Sequence, residues 1–313
     1  MLHITSGIAD AGMIFAAGIP GEILTWGDVV RGDLESACFS LEELGEMRAR
    51  RLLRRGRGAR RFAAVLTRDR ASSRSRPSRE VVLWFGHRVT DEIQRAQLLS
   101  WFTDRQMYGI SLTMVPRVAC RGRPTPEQTF ARFVRRAPVS DAQLRLGRAA
   151  WRAFQSPDPA AITALLDGDT SALPWTAVAL RRHLQEFPSV LGGLSRTERQ
   201  VLEALAEGPS TSTDLFIAQY RGKDALTFGQ ATLTACLHDL ASDPHPLLRV
   251  APAASRFEME VEMTDAGHAV LDGREDRVRL CGIDRWLGGV HLEGHTVRWR
   301  WSPDEHGLVA SEA

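Results

Sequence analysis

The spacing of apolar positions changes along this chain, and each change predicts an element. Leu2 to Thr5 reads as a short strand, and Ser6-Gly7 begins a turn. Asp10 to Ala17 can form a helix that Gly18 and Pro20 end. Glu22 to Trp26 follows as a second strand, and Leu41 to Arg55 as a helix rich in charge. Glu80-Val81-Val82-Leu83-Trp84-Phe85 is the strongest strand, a continuous apolar run of the kind buried on both faces. Thr90 is placed to cap a helix to Gln106, in which Ile93, Ala96, Leu99 and Phe102 recur every three residues. Ile110 to Val115 is the next strand, closed by Pro116. Strands separated by helices imply a mostly parallel sheet with right-handed crossovers.

From Pro126 the pattern is helical. Ser140 and Gln143 form a capping box, and Leu144, Gly147, Trp151 and Phe154 share one helical face. Pro157 and Pro159 break the chain; Pro174 starts a helix that Pro188 stops. Ser195 and Glu198 form a second capping box, opening a helix to Ala206. Two further helices, Ser212 to Tyr220 and Phe228 to Leu240, lead to strands at Leu247 to Val250 and Phe257 to Met263. Three helices and a hairpin follow winged-helix order. The tail from Val290 to Trp301 alternates around Gly294 like a β-hairpin. Trp286, Trp299 and Trp301 read as part of a hairpin folded over the winged-helix core, since indoles bury large apolar area.

The fold class expected is therefore α/β: a Rossmann-like, mostly parallel sheet domain, then an α-helical and winged-helix-like C-terminal half with a terminal β-hairpin. The boundaries expected are 1–125 for the α/β domain, with an arginine-rich loop at 48–80. A helical connector takes 126–192, the winged-helix-like domain 193–275, and the hairpin and tail 276–313.

Composition adds a compartment and an asymmetry. The 313 residues are 43 % hydrophobic and 25 % charged, a globular balance large enough for two cores. The longest apolar runs are short and broken by glycine and proline, so neither a signal peptide nor a membrane span is expected. The four cysteines, Cys38, Cys120, Cys236 and Cys281, are far apart and match no metal spacing. They point to reduced thiols in the cytoplasm, and no motif calls for a metal or cofactor. The net charge of +2 conceals thirteen arginines between residues 48 and 80 against two acids. Residues 195–275 run the other way, with seven bases, thirteen acids and a net charge of −6.

Several segments together resemble one family of bacterial proteins, known only as domain of unknown function 1835. They are His3-Ile4 with Gly7; Gly18-Ile19-Pro20-Gly21-Glu22 with Trp26 and Asp28; and Val81 to Phe85 with His87 and Asp91. Further along come Leu180 to Leu184 with Glu186 to Ser189, Gly193 to Gln200, and Gly282 to Leu292. The resemblance implies a name and a boundary, not an activity. Departures from the family's usual pattern stand at Ile8, at Gly32-Asp33, and around Gly86, His87, Arg88, Asp91 and Glu92. They remove two carboxylates from the strand-end rim, which implies a weakened or inactive member if the family is enzymatic.

Candidate chemistry gathers where strands end. In a parallel sheet, ligands bind beyond the carboxyl ends of the strands. Ser6 and Gly7 enter a helix there and offer backbone N–H groups to an anion. Asp28, His87 and Asp91 fall just past strand ends and are the candidates for acid–base work. A second group, Arg181, Arg182 and His183, is a candidate for holding a phosphate or carboxylate. The arginine-rich segment is the one electropositive feature that nucleic acid would find. The winged helix reads poorly as a groove reader, because Phe228 to Leu240 carries no Arg or Lys.

The sequence thus supports a cytoplasmic regulatory or adaptor protein. Its α/β domain binds a small anionic ligand or a partner, and its winged-helix half mediates interaction. Two alternatives stay open: an α/β enzyme, weakened by its departures, acting on a nucleotide or phosphorylated substrate, and a DNA-binding transcriptional regulator.

Overall fold

The computed structural model describes residues 1–26, 79–86, 88–105, 110–116, 124–221, 229–242, 244–251, 253 and 258–310. The helix expected at Leu41 to Arg55 and the arginine-rich segment up to residue 78 lie outside these, as do Asp28 and His87.

The first layer is a sheet of order β2-β1-β3-β4-β5. Strands β1 (Leu2–Thr5), β2 (Glu22–Thr25), β3 (Arg79–Trp84) and β4 (Ile110–Met114) are parallel, and β5 (Ala137–Pro138) closes the edge antiparallel to β4. The apolar run in β3 divides between two cores. Val81 and Leu83 face one side, with Leu2, Ile4 and Leu99; Val82 and Trp84 face the other, with Ile14 and Phe133. This is why the run does not alternate. Helix α1 (Ile8–Ala16) covers the second face and α2 (Val89–Arg105) the first. The sequence places the start of α2 at Thr90; it begins at Val89, and the Asp91 carboxylate accepts from the Arg88 N–H.

Residues 126–138, assigned by the sequence to the connector, continue this layer. Helix α3 (Pro126–Val134) packs on α1, and β5 joins the sheet. Helices α4 (Asp141–Gln155) and α6 (Pro174–Leu184) then pack over α2, and α5 (Ala160–Leu166) packs on α4 and α6, with Trp151, Phe154, Leu180 and Phe187 in the same core as β3. Both expected capping boxes form, at Ser140–Gln143 and at Ser195–Glu198.

The next unit has winged-helix order: α7 (Arg196–Leu205), β6 (Ser210–Thr211), α8 (Ser212–Arg221), α9 (Gln230–Ser242), β7 (Leu248–Val250) and β8 (Glu260–Met263). Its sheet runs β6-β8-β7. Its core is its own, built on Leu202, Leu233, Leu237, Leu240 and Val261. Helix α10 (Asp265–Leu271), capped by Thr264, closes it.

After α11 (Arg277–Cys281) come two hairpins rather than one: β9 (Ile283–Leu287) with β10 (Val290–Gly294), and β11 (Trp299–Ser302) with β12 (Gly307–Ala310). Gly294 ends a strand, and the first turn is Gly288-Gly289. The hairpins also cover a different core from the one expected. Val290 and Leu292, with Trp299 and Trp301 against them, join α2, α4 and α6 rather than the winged helix. Alternation along a strand reveals which side is apolar, not which of two cores it meets. No helix among the described residues is long and apolar enough to cross a membrane.

Candidate functional site

The strand order places a switch point between β1 and β3. From β1 the chain crosses to β2 on one side; from β3 it crosses to β4 on the other. Crevices form at such points, beyond the carboxyl ends of the strands. The walls here are Ser6-Gly7 after β1 and Phe85, Gly86 and Arg88 after β3.

Gly7 is the N-cap of α1, in extended conformation, and provides no side-chain cap. Among the described residues no side chain caps the first-turn N–H groups of α1, at the end of the helix that adjoins the crevice. Ser6 Oγ donates to Asp10 Oδ2 at 2.7 Å and accepts from Arg88 Nη2 at 3.1 Å. Asp91, 2 % exposed, holds the same guanidinium at 3.1 Å from Nη2, and Asp10 lies 4.0 Å from it. Burial, together with the nearby Asp91 carboxylate, raises the Asp10 carboxyl above its ordinary range despite the Ser6 hydrogen bond. Gly86 leaves room for Asp91: a β-carbon there would stand 2.8 Å from Asp91 Oδ2. Arg88 also reaches the winged helix. A β-carbon at Gly229, the residue before α9, would lie 3.5 Å from Arg88 Nη1.

Of the candidates from sequence, the structure brings Ser6, Gly7 and Asp91 together around Arg88. Asp10 and Arg88 complete the group, and sequence reading did not select them. Asp10 had a signal, an acid three residues after the helix-entry glycine. Arg88 stood out only as a departure from the family pattern.

Arg182 and His183 make their contacts elsewhere. Arg182 is buried, paired with Glu186 and donating to Thr197 Oγ1 at 3.0 Å. His183 is buried between Phe154 and Phe187, with ring centroids 4.8 and 6.1 Å away. Burial, reinforced by the Arg182 charge, lowers its pKa to about 4, so the ring is neutral. Arg181 is exposed on the same helix.

Other residues that carry the family resemblance also hold the fold together. His3 is buried; its Nδ1 accepts from Trp84 Nε1 at 3.0 Å, and its Nε2 lies 3.1 Å from the Pro20 carbonyl. Gly21 sits so close that a β-carbon would be 2.8 Å from His3 Nε2. Glu198 is buried with Arg285 Nη2 at 2.6 Å and Arg277 Nε at 3.7 Å. Burial alone would raise its pKa, but these two guanidinium groups hold it at about 2. The segments 193–200 and 282–292 thus meet through one buried ion cluster.

On α9, Thr234 Oγ1 donates back to the Gln230 carbonyl at 3.0 Å and His238 is exposed. Comparison with protein-family models gives no match, and comparison with curated proteins gives none either.

Proposed function

We propose that this is a cytoplasmic regulatory protein whose β1/β3 crevice binds a small anion and whose winged-helix half responds to its occupancy. The observation that supports this most is the position of Arg88, whose guanidinium spans Ser6, Asp91 and the start of α9. An anion in the crevice would meet uncapped N–H groups of α1 and one guanidinium, a pairing suited to phosphate or carboxylate. Binding would draw on the same cation that adjoins Gly229, so occupancy and the setting of α9 would be linked. Membership of the domain of unknown function 1835 family belongs to this proposal, with the crevice as its retained scaffold.

The acidic balance of residues 195–275 favours a protein interaction over DNA readout for the winged helix. Of the acid–base candidates of the enzymatic reading, Asp28 and His87 lie outside the described residues and Asp91 is engaged with Arg88.

The test is a thermal-shift titration with inorganic phosphate, acetate, sugar phosphates and nucleotides, on the protein and on Arg88→Ala. An anion at a hundred times its Kd adds about 2.7 kcal/mol of stability. The expected result is a shift with one anion class that Arg88→Ala abolishes. No shift with any anion, or one indifferent to Arg88, would overturn the reading.

A further inference from the structure

Among the described residues the outer edge of β10 has no partner strand and that of β11 is bridged only at Trp301, and both edges flank an open groove of about 400 Å³. Strand β10 pairs with β9 alone among the described residues, and β11 pairs with β12. The two-residue turn makes Leu287 and Val290 the hydrogen-bonded closing pair, so bonding alternates from there along the register. Arg285 and Leu292 are bonded in turn; His291 and Glu293 therefore point their N–H and C=O groups away from β9. The close stacking of Trp286 on His291, with centroids 4.5 Å apart, agrees with a non-hydrogen-bonded pair.

The opposite wall, residues 296–299, is similar. Trp301 N–H donates to the Pro188 carbonyl, and its own carbonyl accepts from Val190, both away from β12. Trp299, two residues earlier, directs its backbone to the same edge, where no backbone partner among the described residues meets it. The groove between these edges is lined by Pro157, Val297, Trp286 and Trp299 among others. Arg298 lines it, its guanidinium 5.2 Å from the Trp299 ring and in no ion pair among the described residues.

We infer that this groove takes an extended peptide segment of a partner protein, added as a strand to the free edge of β10. Main-chain hydrogen bonds at His291 and Glu293 give affinity, and side-chain pockets at every second position give selection. Here those pockets ask for an apolar side chain over Trp299 and Val297 and an acidic one opposite Arg298. This site is separate from the β1/β3 crevice, so either can fail without the other.

The experiment pans a displayed library of random nonapeptides on the full-length protein, then measures a synthetic peptide from the enriched set by fluorescence anisotropy. The expected consensus has apolar residues at alternate positions and an acid among them. Glu293→Pro deletes one outward N–H without touching a bond to β9, and should weaken the peptide by about tenfold. Arg298→Glu should weaken it by about tenfold as well, and more so at low salt. Methylating the peptide nitrogens that face β10 should remove binding with the protein unchanged. No enrichment, or binding indifferent to Glu293→Pro and to methylation, would overturn the inference. So would a dimer in light scattering that Glu293→Pro dissolves, since the edge would then belong to a second copy of this chain.

Discussion

Gly147 of α4 lies against Leu99 of α2 so closely that a β-carbon at position 147 would stand 2.5 Å from the Leu99 β-carbon. Leu99 is fully buried, and both helices belong to the larger core. The glycine is therefore a point of close approach between the α/β layer and the helical connector.

Gly147→Ala tests two opposed effects. In an isolated helix the change stabilises by about 0.5–1 kcal/mol. Here the added carbon must displace one helix, and overpacking costs about 1–3 kcal/mol. The net expectation is destabilisation, read as a lower urea midpoint. An unchanged or higher midpoint would show that α4 shifts freely over α2.

Glu198→Gln leaves Arg277 and Arg285 without their carboxylate in a buried setting. Removing one partner from a buried ion cluster costs about 3–5 kcal/mol. The depressed pKa gives a sign as well. Its stabilising contribution is present above the ordinary carboxylate range and is lost as pH falls towards about 2. The variant should unfold earlier at pH 7 and show a flatter stability curve below pH 4 than the parent. Equal midpoints at pH 7 would remove the ion cluster from the account.

His183 supplies a second pH window. Its pKa is lowered from 6.5 to about 4, so the unfolded chain takes up the proton first. Stability from the neutral ring is full above 6.5 and declines as pH falls towards 4. His183→Leu should flatten the curve in this window and leave any anion-induced shift at the crevice intact. If the variant abolished that shift, His183 would belong to the ligand site after all.

Asp276 joins three parts of the C-terminal half. It caps α11 through the Arg279 N–H at 3.0 Å and holds Arg300 at 2.7 and 3.2 Å. Gly193, with φ +69°, approaches so closely that a β-carbon would lie 2.7 Å from Asp276 Oδ1. Asp276→Ala should cost about 1 kcal/mol for the cap alone. It should cost about 1.5–3 kcal/mol more for the charged hydrogen bonds to Arg300. A loss no larger than the cap, measured by denaturation, would mean that Arg300 finds other partners.

The sequence by itself determined the local elements. Apolar periodicity, proline and glycine stops and two capping boxes are short-range signals, and they yielded the parallel sheet, the helical stretch and the winged-helix order. They also singled out Ser6, Gly7 and Asp91, because a strand-end glycine turn and a helix-start acid are visible within a few residues. Only tertiary structure decided the rest. Arg88 and Asp10 became part of the crevice because β1 and β3, far apart in sequence, are neighbours in the sheet. Arg182 and His183 proved buried because other segments cover α6: Thr197 of α7 meets Arg182, and Phe154 of α4 and Phe187 enclose His183. The hairpins joined the core of α2, α4 and α6, since alternation marks an apolar side without naming what it will meet. Periodicity is a property of one segment, whereas a site or a core is an agreement among several.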